Sequence, residues 1–156
     1  MRETLLKIQA RLDNTLDYLP MKSATERAIY ILTSNEVPEI TDYPAIGIKD
    51  GDENYDLEGG TMADGAEFDQ QMEVVVTAFV EMLRKEEVIV GDGSGMKGIL
   101  EVADDIKASL NGFDLGEGYT APLILKRGKA CQAMSSDTVS IWMKEMFFAC
   151  SKQYTI

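Results

Sequence analysis

Apolar residues near the start of the chain recur at steps of three and four, at Leu5, Ile8, Leu12, Leu16 and Leu19. This spacing places them on one stripe of a helix, and it predicts a helix over residues 3–19 that ends at Pro20. A helix with a single apolar stripe usually packs on a sheet of its own chain, so we expect this one to cover the domain's sheet. Packing on a neighbouring subunit is the alternative.

Runs of β-branched and aromatic residues predict the strands. The clearest run covers 71–83, where the centre is apolar on both faces, as expected for a central strand of a covered sheet. A second long strand is predicted over 138–150. Shorter strands are predicted at 28–33, 45–49 and 119–125, and weaker candidates lie at 88–90 and 129–134.

A glycine-rich loop that runs into an amphipathic helix, residues 91–112, separates the two long strands. The helix is predicted over 96–110, with Ser94 as a candidate N-cap and Asn111-Gly112 as its C-terminal stop. Its apolar face consists of Ile99, Val102, Ala103, Ile106 and Leu110. We therefore expect one α+β domain over residues 1–156, with a mainly antiparallel sheet flanked by an N-terminal helix and one internal amphipathic helix.

Negative charge is concentrated in one part of the chain. The formal net charge is −12, and residues 50–83 contain ten acidic residues and no Lys or Arg, whereas the other segments hold seventeen acids and fifteen bases. Within this part, residues 50–70 are polar and carry four glycines, which predicts a connection longer than an ordinary hairpin turn. A loop of this length is either an assembly loop or mobile arm, or it is plain disorder.

Composition excludes several classes of protein. The acidic balance argues against binding to phosphate backbones, which requires clustered Lys and Arg. No apolar run approaches the roughly 20 residues that span a bilayer, and charges throughout the N-terminal segment argue against a signal peptide. Cys131 and Cys150 are expected to be reduced, buried thiols. These observations predict synthesis in the cytoplasm and no contact with membranes.

One motif suggests nucleotide chemistry. Residues 93–98 (GSGMKG) match the dinucleotide pattern GxGxxG, and Asp114 follows about twenty residues later. That pattern binds pyrophosphate only within repeated β-α-β units, and the strands predicted around this loop are hairpin-like. No Ser or Thr follows Lys97, so the loop is not a Walker phosphate loop either. We interpret it as a flexible connection into the helix.

A second motif suggests a metal. Asp50, Asp52, Asn54 and Asp56 alternate as the oxygen ligands of a calcium loop do, but Tyr55 stands where that loop needs glycine. Thr61 likewise stands where it needs glutamate. Histidine is absent, which removes Ser-His-Asp catalysis and the usual zinc sites. We expect no cofactor, no metal and no enzymatic activity.

The order of elements resembles the tail-terminator, or tail-completion, proteins of long-tailed bacteriophages and prophages. The resemblance is carried by the N-terminal amphipathic helix, by PAIGIKDG leading into EVVVTAFVEM, by ILEVADDIKASLNG and by IWMKEMFFAC. It covers nearly the whole chain. It implies a structural α+β subunit of a hexameric ring that caps the tail tube and joins it to the head, with no catalytic residues. Neck and head–tail joining proteins share a similar size and layout.

The resemblance also implies partners and a location. The partners are other copies of the chain, the tail tube and head-completion proteins, and DNA passes through the ring without specific binding. The protein assembles in the host cytoplasm and ends in the virion neck or tail. We expect the acidic segment to face the bore or a neighbouring subunit, through Asp50, Asp52, Glu53, Asp56, Glu58, Asp64, Glu67 and Asp69.

Two other functions fit the residues. The first is a non-viral acidic protein-binding module that docks a basic partner through the same loop. The second is a small nucleotide-binding enzyme that uses the loop at 93–98.

Overall fold

A computed structural model describes residues 1–32, 40, 42–57, 67–81, 97–135 and 140–155. Within these ranges the helices are α1 (Arg2–Thr15) and α2 (Ile99–Leu110). The strands are β1 (Ile29–Ile31), β2 (Ala45–Leu57), β3 (Glu67–Glu81), β4 (Tyr119–Gly128), β5 (Gln132–Ser135) and β6 (Ser140–Thr155).

All six strands belong to one sheet, in the order β1-β2-β3-β6-β4, with β5 also paired to β6. Every pair is antiparallel except β1 with β2, which run parallel. The predicted α+β fold with a mainly antiparallel sheet is therefore confirmed. The strand that comes last among those described, β6, lies in the interior of the sheet between β3 on one side and β4 and β5 on the other.

Both helices cover the same face of the sheet. Their apolar stripes join alternate residues of β2, β3 and β6 in one core, whose largest fully buried side chains include Ile8, Leu12, Ile106, Met146 and Phe148. A smaller cluster on Ala28, Ala45 and Phe79 lies apart from this core. The expectation that the N-terminal helix packs on the domain's own sheet is confirmed. Neither described helix has the length and apolar character that crossing a membrane would require.

The first helix is shorter than predicted. It ends at Thr15, and Leu16 leaves the helical conformation with φ −105° and ψ 72°. The hydroxyl of Thr15 donates to the carbonyl of Arg11, a local bond that competes with continuation of the helix. Leu16 and Leu19 are nevertheless buried. The apolar spacing therefore predicted their burial correctly, although they lie beyond the end of the helix.

The second helix begins at Ile99, later than the predicted Met96, because Gly98 is extended, with φ −76° and ψ 169°. Its amide donates to the carboxylate of Glu101 at 3.4 Å, which satisfies one of the free groups at the helix start. The predicted stop is confirmed, since the helix ends at Leu110 and Gly112 has a φ of +83°. Ser94, Met96 and the candidate strand at 88–90 lie outside the described residues.

The largest correction concerns the predicted loop at 50–70. Strand β2 continues through Asp50 to Leu57, and β3 begins at Glu67, so most of that segment is a hairpin. Asp, Gly and Asn are poor strand formers, but pairing with β3 overrides their local preference. Strand β6 continues to Thr155, beyond the predicted end at Cys150, and residues 138 and 139 of that prediction lie outside the described residues. Strand β5 covers Gln132–Ser135 rather than 129–134.

The two thiols differ in environment, and we expect them to differ in reactivity. Both are free; Cys150 is buried, as predicted, whereas Cys131 is only half-buried. Burial raises the pKa of the Cys150 thiol from 9 to about 11, which reduces its thiolate fraction about 100-fold near neutral pH. Iodoacetamide at pH 8 should therefore alkylate Cys131 first and Cys150 at least about 100-fold more slowly. Peptide mass spectrometry over a time course checks this, and equal rates in the folded protein would contradict it.

Candidate assembly surface

The fold brings most of the predicted acidic residues onto one hairpin. Asp50, Asp52, Glu53 and Asp56 lie on β2, and Glu67 and Asp69 lie on β3. The strand register places Asp56 directly opposite Asp69. Glu58 and Asp64 lie outside the described residues. The six described residues of the predicted group thus lie on paired strands rather than in a loop.

Strand β2 changes from buried to exposed residues at Asp50. Ala45, Ile46 and Ile48 are buried, whereas Asp50 and every residue from Asp52 to Tyr55 are exposed. On β3, opposite the exposed stretch, Gln70 is only 4% exposed. Strand β1 pairs with β2 only from Ile46 to Ile48, so the acidic half has a strand partner on one side alone among the described residues. We call Asp50, Asp52 and Glu53 the acidic edge.

A bulge divides the acidic residues of β2 between the two faces of the sheet. Asp50 lies opposite Val74 and Glu53 opposite Met72, so Gly51 and Asp52 together face the single residue Glu73. A Cβ atom on Gly51 would lie 3.0 Å from atoms of Glu73, which explains why glycine fits there.

Because of the bulge, Asp50 and Asn54 do not share a face. Asn54 pairs with Gln71, and Gln71 lies on the face opposite to Val74, the partner of Asp50. The alternating positions that suggested calcium therefore do not converge. Across the described part of the chain, no group of three or more Asp, Glu, Cys or His residues could hold a metal ion.

Within the described part of the chain, no cation neutralises the acidic edge. No Lys or Arg of the described residues forms an ion pair with Asp50, Asp52 or Glu53. Glu53 instead accepts a hydrogen bond from the hydroxyl of Tyr55 at 3.1 Å, and Gln70 donates to that hydroxyl at 3.1 Å. This chain of bonds holds Tyr55, although 59% of it is exposed.

A basic surface lies at the other side of the sheet. Lys126, Arg127 and Lys129 are exposed at the end of β4, and no acidic residue occurs between Tyr119 and Ser135. The Arg127 guanidinium lies 4.0 Å from the centre of the Phe147 ring and the Lys129 amine 5.4 Å from it, which orients both cations. We call these three residues the basic edge. Sequence reasoning missed this surface, because only the strand order places it opposite the acidic edge.

The nucleotide-like motif does not form a recognisable phosphate site in the described residues. Lys97 forms an ion pair with Asp105 at 2.7 Å and lies 4.3 Å from the centre of the Tyr18 ring. Burial, together with the Asp105 carboxylate, raises the pKa of Tyr18 above its ordinary value. The Asp114 carboxylate accepts from the amide of Gly116 at 2.8 Å, so it holds a turn. Residues 93–96 lie outside the described ranges.

The groove beside Lys97 is a contact between the two helices. The hydroxyls of Thr15 and Ser109 are 2.6 Å apart, and the Arg11 side chain donates to the carbonyl of Ser109 at 3.1 Å. These bonds link α1 to α2 through Arg11, Thr15 and Ser109, which line the groove. The arrangement therefore stabilises the fold.

Comparisons with known proteins found similarity among solved structures but not among sequences. No protein-family profile matches the chain, and no curated protein sequence matches it. Among solved structures, the chain is similar to a chain from the virion of a native gene transfer agent particle, with 16% sequence identity and a TM-score of 0.48. The match covers 94% of each chain.

Proposed function

We propose that this chain is a structural subunit of a phage-type virion, a ring-forming tail-terminator protein that caps the tail tube and joins it to the head. The observation that carries the proposal is the exposed acidic edge, which no described cation neutralises. The resemblance in element order supports it, as does the agreement of that order with the α+β fold. The role is structural rather than catalytic.

The paired acidic strands of β2 and β3, with the segment that connects them (residues 50–69, the acidic hairpin), have a physical use in such a ring. DNA passing through a bore lined by carboxylates is repelled, so it does not bind during ejection. We propose that the segment from Asp50 to Asp69 faces the bore or a neighbouring subunit. Contacts between subunits of a cyclic ring join different surfaces of each copy. The tail tube and head-completion proteins would bind the two flat sides of the ring.

The oligomeric state tests the proposal. Light scattering across a concentration series, with negative-stain images of the same samples, should show six-fold rings. If the protein stays monomeric, the images should be repeated with isolated tail tubes, because some rings close only on their tube. A monomer in both experiments would contradict the proposal. Salt-sensitive binding of such a monomer to a basic protein would favour the acidic binding module instead.

Neutralising the acidic hairpin should impair the ring's function. We expect a variant with Asn or Gln at Asp52, Glu53, Asp56 and Glu58 to alter ring assembly or tail completion, because the repulsion of DNA or the contact with a neighbour is lost. Assembly is measured by light scattering, and tail completion by the yield of infectious particles.

A matched control removes the same number of carboxylates elsewhere. Exposed residues suited to this are Asp17, Glu26, Asp104 and Glu117. The control variant should assemble as the unmodified protein does. Equal behaviour of the two variants, with normal assembly and infectivity, would count against a role of the acidic hairpin.

A further inference from the structure

Among the described residues, β2 and β4 each have one stretch whose outer side has no backbone partner. On β4, Leu123 exchanges backbone hydrogen bonds with Gly112 and Phe113, and the Leu125 amide donates to the Asn111 side chain at 3.0 Å. This turn covers the outer side of β4 as far as Leu125, and the open part begins at Lys126.

On the other side of the sheet, β1 covers β2 as far as Ile48. The open part of β2 begins beyond it, at the acidic edge. The two open stretches therefore carry opposite charges.

The two edges are too far apart to neutralise each other within one subunit. Three strand spacings separate β2 from β4, which is roughly 14 Å. Charges at that distance are largely screened at physiological salt, where the Debye length is about 8 Å. A second copy, however, can bring the basic edge within a few ångströms of the acidic edge.

The strand directions allow this contact. Strands β2 and β4 run in opposite directions, because β3 and β6 between them alternate. One copy's β2 would thus lie antiparallel to β4 of the next copy in a continuing sheet. A single cross-sheet row joins Asp50 to Leu125 through Val74 and Phe148, so the open stretches are staggered along the strands. Closed sheets accommodate such a stagger by inclining their strands to the ring axis.

We propose that the acidic edge of one copy docks on the basic edge of the next copy, so that Asp50, Asp52 and Glu53 face Lys126, Arg127 and Lys129. The inference rests on the proposed ring and specifies its subunit contact. The contact is head-to-tail, because each copy contributes a different edge. It assigns Asp50, Asp52 and Glu53 to the interface, so any bore lining would come from other residues of the acidic hairpin.

A mixing experiment tests the contact. The first variant carries Lys126→Glu and Lys129→Glu, so that both of its edges are negative. The second variant carries Asp50→Lys and Asp52→Lys, so that both of its edges are positive. Each variant alone should need at least about 100-fold higher concentration to associate, since like charges across an interface cost several kcal/mol. An equal mixture should associate nearly as well as the unmodified protein, in assemblies that alternate the two variants. Light scattering and native mass spectrometry measure both results.

Controls separate this contact from general charge effects and from unfolding. Arg2→Glu with Lys107→Glu, and Asp17→Lys with Glu117→Lys, change the net charge by the same amounts at positions away from both edges. Neither control should impair association. Circular dichroism and thermal unfolding verify that every variant is folded. Arg127 is left unchanged because its contact with Phe147 also supports the fold.

The outcomes distinguish the contact from the ring. Rings formed equally well by the single-edge variants would overturn the contact and leave the ring function standing; the edge charges would then serve only to prevent aggregation. Open chains that depend on both edges, without rings, would keep the contact and overturn the ring function. No self-association of the unmodified protein at any concentration, with or without isolated tail tubes, would overturn both the contact and the ring.

Discussion

Phe148→Ala is expected to lower the free energy of unfolding by about 3–5 kcal/mol, the largest effect of a single truncation in this protein. Phe148 is fully buried, and its strand β6 holds it between Val74 of β3 and Leu125 of β4. Truncation removes the ring from the centre of the core and leaves a cavity that the paired strands cannot close. The melting temperature should fall by roughly 10 °C for a domain of this size.

The neighbouring strand provides a matched control. Ile124 lies on β4 opposite Ala149 and is 38% exposed, so Ile124→Ala should cost less than about 1 kcal/mol. Chemical denaturation followed by circular dichroism gives both free energies. Similar losses for the two variants would show that Phe148 does not occupy the centre of the core.

Gly47→Val should destabilise the protein by about 1–3 kcal/mol through overpacking between β1 and β2. A Cβ atom at Gly47 would lie 2.5 Å from Cδ1 of Leu32 and 3.0 Å from Cε2 of Phe79. Leu32 can move in part, but a branched side chain fills the space on both sides and presses on the strand pairing. Thermal unfolding measures the loss.

Two further variants establish the cause. Gly128→Val introduces the same side chain in β4, where the nearest atom would be 3.8 Å from the Cβ, and it should be close to neutral. Leu32→Ala should recover part of the stability of Gly47→Val, because it removes the closest contact. A Gly47→Val protein as stable as Gly128→Val would contradict the packing described between β1 and β2.

The features that were predictable from sequence are those whose pattern is local. The stripe of Ile8 and Leu12 marked the packed face of α1, and the apolar centre of β3 marked a strand buried on both sides. Asn111-Gly112 marked the end of α2, because glycine readily adopts the positive φ found there. Each of these signals depends on residues within a few positions of one another.

The features that were missed depend on distant pairing. Asp50, Gly51 and Asp52 resemble a loop, and only pairing with β3 makes them part of a strand. The contact of the Thr15 hydroxyl with that of Ser109, at 2.6 Å, likewise joins residues far apart in sequence. The basic edge could not be predicted from sequence, because only the strand order places Lys126 at the side of the sheet opposite to the acidic hairpin. The charges themselves were readable in the sequence, but their positions on the sheet were not.

The position of β6 in the interior of the sheet also sets the order of events during synthesis. Strands β3 and β4 have no common partner until residues 140–155 have left the ribosome, and until then the apolar rows of β3 lack one of their two neighbours. Pairings between segments this distant in sequence form slowly, and incomplete sheets are prone to aggregate. The charged open edges would then reach their final arrangement only after β6 has joined β3 to β4. A nascent subunit would thereby be kept out of any assembly until β6 has been synthesised and has paired with both neighbours.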